Sequence, residues 1–84
     1  MYKREKMMKL RITGWRPGLL KVSMTLLLRS ELDIALRPAK DITDSVLAGE
    51  IVELEIEDLD KATRLRRKLH ELGADVEIEE ESAV

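Results

Sequence analysis

One histidine, His70, and no cysteine among 84 residues leave this chain little to do chemistry with. Without a second imidazole or a thiolate it has no zinc ligand set and no nucleophile-base pair of recognisable spacing. His70 falls beside the apolar stripe of a helical segment and reads as a partly covered surface imidazole. Asp33, Asp41 and Asp44 lack the spacing and central glycine of a calcium loop. Gly14-Trp15-Arg16-Pro17-Gly18 has two glycines but neither a GxGxxG pattern nor a lysine-serine pair, so it reads as a turn rather than a phosphate cradle. The glutamates that alternate along the strand segments lie on a flat, solvated face, with no cleft to push two carboxyl groups apart in pKa. The sequence predicts a non-enzymatic protein with no catalytic residue, metal site or cofactor.

Two other groups of residues fit binding. In Lys21-Val22-Ser23-Met24-Thr25-Leu26-Leu27-Leu28-Arg29, a helical progression of about 100° per residue gathers Leu20, Met24, Leu27 and Leu28 on the side expected to be core. Lys21, Thr25 and Arg29 form an i,i+4 ridge on the far side, with Val22 and Leu26 as a second apolar line next to it. Either a following helix roofs that line, or it is an exposed apolar strip with cationic edges. The second arrangement suits a protein contact, because apolar burial supplies affinity while lysine and arginine steer an acidic partner. The other group, Arg64, Arg66, Arg67 and Lys68, is the densest basic cluster and could grip the phosphates of RNA. Asp60–Arg64 and Arg67–Glu71 stand at i,i+4 spacing, so internal pairing explains part of it. With a net charge of -2 and no aromatic residues interleaved for base stacking, nucleic acid is the alternative partner.

The elements that must hold these residues follow from periodicity. Met8, Leu10 and Ile12 alternate with Lys9, Arg11 and Thr13 as a strand with one wet face. A first helix is expected from Leu19 to about Glu31, and a second from Leu36, with Leu36, Ala39, Ile42 and Val46 on its buried face, Pro38 in its first turn and Gly49 at its end. Their short connection predicts a helical hairpin. Val52, Leu54 and Ile56 alternate with glutamates as a second strand. Asp58 then caps a third helix with Leu59, Ala62, Leu65, Leu69 and Leu72 inward and Gly73 as its stop. Ala74, Val76 and Ile78 make the third strand.

This order, β-α-α-β-α-β, predicts an α+β two-layer sandwich: a three-stranded antiparallel sheet covered on one face by three helices. The outer face of the first strand is basic and those of the other two are acidic, so opposite-charge neighbours require the first strand in the middle, order 2-1-3. Residues 1–7 are expected to be a flexible basic leader, 8–79 a single domain and 80–84 an acidic disordered tail. No apolar run approaches the roughly 20 residues that span a bilayer. The lack of cysteine points to a reducing, cytoplasmic setting.

One ordered set of motifs resembles a known family. Lys21-Val22 opening the first helix, Arg29 closing it, Leu36-Arg37-Pro38-Ala39-Lys40-Asp41 in the second and Gly73-Ala74-Asp75-Val76-Glu77 near the end are similar to the C-terminal domain of the bacterial ribosomal stalk protein, large-subunit protein L-seven/twelve. The resemblance implies the same element order, and a surface on the first two helices that recruits translation factor GTPases to the ribosome. By position that surface would comprise Lys21, Val22, Thr25, Leu26, Arg29 and Lys40. Leu26 stands where the family usually has a lysine, and Asp33 and Ala35 where it has glycines. The short leader leaves no room for the family's dimerisation region and hinge, so a stand-alone relative is expected, with ribosome association a further possibility and oligomeric state open. The related Clp protease adaptor fold is another protein-binding alternative, although its pocket motif is missing.

Overall fold

A computed structural model of the protein describes residues 7–81. The elements run β1 (Met7–Trp15), α1 (Lys21–Leu32), α2 (Leu36–Leu47), β2 (Val52–Ile56), α3 (Leu59–Leu72) and β3 (Ala74–Glu81). The strands form one sheet in the order β2-β1-β3, with β1 antiparallel to both neighbours. This is the α+β arrangement that alternation and charge predicted.

Charge explains why β1 is central. Lys9 lies opposite Glu55 and Glu79, and Arg11 opposite Glu53 and Glu77. Arg11 Nε donates to Glu53 at 3.1 Å and Nη2 to Glu79 at 2.8 Å, while Lys9 Nζ lies 3.7 Å from Glu53. The bond to Glu53, followed by that to Glu79, raises the Arg11 pKa above the ordinary arginine value. The guanidinium thus separates two acidic strands that would repel each other as neighbours.

On the opposite face Met8, Leu10, Ile12, Ile56 and Ala74 are buried, together with Met24 and Leu28 of α1, Ala39 and Val46 of α2 and Ala62, Leu65 and Leu69 of α3. The helices α2 and α3 pack on the strands, and α1 packs on those two helices. Asp58 caps α3 by accepting from the Asp60 N–H at 3.0 Å. Gly73 ends α3 with φ 116°, and a Cβ there would lie 2.9 Å from Leu19 Cα. Glycine is therefore required at that position twice, by the left-handed backbone and by the close approach. The bond from Arg16 N–H to the Gly73 carbonyl, 2.8 Å, and that from Leu20 N–H to the Leu72 carbonyl, 3.0 Å, fasten the β1–α1 connection to this corner.

Several boundaries differ from expectation. Strand β1 runs through Gly14 and Trp15, which pair with Asp75 and Ala74 beyond a bulge between Ile12 and Gly14; ladder pairing overrides the local turn signal. Met7 opens β1 instead of closing a leader, and β3 extends through Glu80 and Glu81, which pair with Met8 and Met7. Those two glutamates are thus strand rather than the start of a disordered tail. The rest of the expected leader and tail, 1–6 and 82–84, lies outside the described residues. Leu20, Leu36 and Leu59 are exposed instead of core. Leu20 precedes α1 as its N-cap, with φ -89° and ψ 85°, so its side chain leaves the helical progression. Leu36 and Leu59 are the first residues of their helices, three positions before the first buried residue of each, Ala39 and Ala62.

Candidate functional site

The two helices of the hairpin meet along a line of threonines. Thr25 Oγ1 donates to Thr43 Oγ1 at 2.8 Å, and the buried Thr43 hydroxyl donates in turn to the Ala39 carbonyl at 3.3 Å. Thr25 therefore does not face away from α2 as the outer ridge of α1 would require; it lies at the floor of a groove. The turn that closes the hairpin is held by Asp33, whose backbone is left-handed at φ 55° and whose N–H bonds the Arg29 carbonyl. Aspartate adopts this conformation more readily than most residues, so the turn forms without a glycine.

Above the threonine floor lies a cavity of about 340 Å³ lined by Lys21, Val22, Thr25, Leu26, Leu36, Lys40, Thr43 and Asp44. Its walls are Val22 and Leu26 from α1 and Leu36 from α2, which are 67%, 50% and 50% exposed. The second helix thus does not roof Val22 and Leu26. It stands beside them and adds Leu36, because α1 is seated on α2 and α3 and has more apolar residues than those two neighbours can cover.

Five of the six residues singled out from the sequence, Lys21, Val22, Thr25, Leu26 and Lys40, line this one groove. Arg29 does not; it lies next to the groove, in a depression around the hairpin turn shared with Leu26, Ser30, Asp33, Ile34 and Ala35. Lys40 Nζ sits 3.0 Å from Asp44 Oδ2, one turn further along α2, so part of its charge is compensated within the helix. Lys21 and Arg29 have no ion pair among the described residues. The sequence reading missed Leu36 as a binding residue because its spacing to Ala39 matches a buried stripe. Its place at the very start of the helix was the available signal.

The basic cluster of α3 does not form one patch. Arg64 and Lys68 turn toward α1, where Arg64 Nη2 donates to Glu31 Oε1 at 3.4 Å and Lys68 Nζ lies 3.7 Å from Glu31 Oε2. The expected partners Asp60 and Glu71 are not used. Arg66 and Arg67 face the other way, into a depression beside β3. A phosphate backbone would therefore meet two separated pairs, one of them partly compensated by the single carboxylate of Glu31.

Among the described residues no group of acidic or histidine side chains could hold a metal ion, and no helix is long and apolar enough to cross a membrane. No protein-family model matches the chain, and no curated protein matches its sequence.

Proposed function

We propose that the protein is a non-enzymatic interaction module that docks a protein partner in the groove between α1 and α2. The observation that carries this reading is the trio Val22, Leu26 and Leu36: aliphatic side chains from two helices, half or more exposed, converging over a threonine floor. Exposed aliphatics spaced around one concavity offer a partner's apolar side chains more burial than scattered ones do. Lys21 and Lys40 at the rim and Arg29 beside it favour an acidic-edged apolar element, and their charge would act mainly on the rate of encounter.

The resemblance of the hairpin motifs to the ribosomal stalk C-terminal domain makes a translation factor GTPase the first partner to test. Adding unlabelled elongation-factor GTPases to the isotope-labelled protein and following backbone amide shifts provides the test. Shifts should concentrate at residues 21–29 and 36–44. Saturable shifts confined to the sheet or to α3 would reject this surface, and no shifts at all would reject this partner.

A further inference from the structure

A second recognition site follows from the free edge of β3. In the order β2-β1-β3, no strand lies beyond β3 among the described residues, so one side of its backbone is available for pairing. Between α3 and the start of β3 is a depression of about 580 Å³ lined by Thr63, Arg66, Arg67 and His70 from α3, by Asp75, Val76 and Glu77 from β3, and by Thr13 from β1. An open strand edge with a helix beside it is the geometry in which extended peptides add to a sheet: main-chain hydrogen bonds give affinity, and alternate side chains meet the helix.

The charges select the peptide. Of the two acids in the depression, Asp75 accepts from Arg16 Nη1, and Glu77 lies 3.7 Å from Arg11 Nη1, a guanidinium it shares with Glu53 and Glu79. Arg66 and Arg67 have no ion pair among the described residues. The α3 wall of the depression therefore carries two unpaired cations, and carboxylates are their natural complement.

The outer face of the sheet sets the opposite preference, because Glu53, Glu55, Glu77 and Glu79 stand on it with only Lys9 and Arg11 between them. That row disfavours a nucleic-acid backbone. It also disfavours a second copy of the chain adding through its own β3, which would bring two rows of glutamates together.

We propose that the β3 edge and the Arg66–Arg67 wall receive an extended peptide as a fourth strand, with carboxylates at the alternate positions that face α3 and neutral or basic residues at those that face Glu77 and Glu79. This surface is separate from the α1–α2 groove, and its test does not depend on that reading. The probe is a capped hexapeptide of alternating glutamate and threonine, titrated into the isotope-labelled full chain. Binding should shift the amides of residues 74–80 and the Arg66 and Arg67 side chains, and slow hydrogen exchange along β3.

Arg66→Glu with Arg67→Glu, or lysine in place of the peptide's glutamates, should weaken binding at least about tenfold. Methylating alternate peptide nitrogens, which removes backbone donors and keeps the charge, should do the same. Equal binding of the methylated peptide, shifts confined to the α1–α2 groove, or no saturable shift up to about 5 mM would each overturn the proposal. So would displacement by oligouridylate that engages Arg66 and Arg67 without slowing exchange along β3.

Discussion

Thr25 and Thr43 stand hydroxyl to hydroxyl, 2.8 Å apart, and this one contact couples the shape of the groove to the packing of the hairpin. Thr25 also lies within reach of the Lys21 carbonyl, at 3.0 Å, so its hydroxyl keeps an acceptor if Thr43 is changed. Thr43 is 2% exposed, so its hydroxyl depends on its protein partners. Thr43→Val should therefore lower stability by about 1 kcal/mol, the net worth of a typical buried hydrogen bond. Thr25→Val should cost less, because Thr43 retains the Ala39 carbonyl. Urea denaturation of the two variants checks the order.

Leu26 and Leu36 separate binding from folding. Each is half exposed, so Leu26→Ala and Leu36→Ala should change stability by no more than about 0.5 kcal/mol. At the centre of a docked interface the same truncations should weaken partner affinity by about 1–2 kcal/mol each. Calorimetric titration beside thermal unfolding checks both halves, and wild-type affinity in both variants would remove the groove from the interface.

Reversing charge at the rim should act on kinetics. Lys21→Glu and Arg29→Glu should slow association with an acidic partner and leave dissociation nearly unchanged, with the difference shrinking as salt is raised. Stopped-flow association at two ionic strengths reads this directly. A salt-independent loss would mean that these side chains pack against the partner instead of steering it.

Gly73 should be among the least replaceable surface residues. Gly73→Ala meets both the left-handed backbone, φ 116°, and the Leu19 backbone at 2.9 Å, and should cost about 2 kcal/mol or more. Gly18→Ala, with φ 96° but nothing within 4 Å, should cost about 1 kcal/mol. Thermal unfolding of the pair separates strain from collision.

Arg11 should show its role through salt and charge sign. Arg11→Glu, which places acid between Glu53 and Glu77, should lower the melting temperature more than Arg11→Ala, and the gap between them should narrow at high salt. Because its pKa is raised in the folded state, the contribution from arginine is fully present below its unfolded value. It is lost only as pH rises through the folded value, so no Arg11-linked change is expected from neutral pH through the range where lysines titrate.

Much of the fold was legible because local periodicity and charge agreed. Met8, Leu10 and Ile12 alternate with the basic residues that β1 turns toward the glutamates of both neighbours, which was enough to place β1 in the middle of the sheet. Asp58 and Gly73 marked the ends of α3 because capping is set within a few residues of chain. The groove was legible only in part: helical spacing brought Lys21, Val22 and Leu26 to one side of α1, and Lys40 was singled out only by the resemblance to the stalk domain.

Tertiary structure decided the rest. Whether Val22 and Leu26 are covered depends on where α2 sits, and a helical wheel carries no information about the neighbouring helix. Leu36 became a groove wall and Thr25 its floor for the same reason. The cluster Arg64 to Lys68 is contiguous in sequence, yet a helix turns each residue by about 100°. Glu31 of α1 captures one pair, and the edge of β3 flanks the other. Spacing along the chain fixes the angle at which a side chain leaves its own helix. What that side chain meets is fixed by packing between elements distant in sequence.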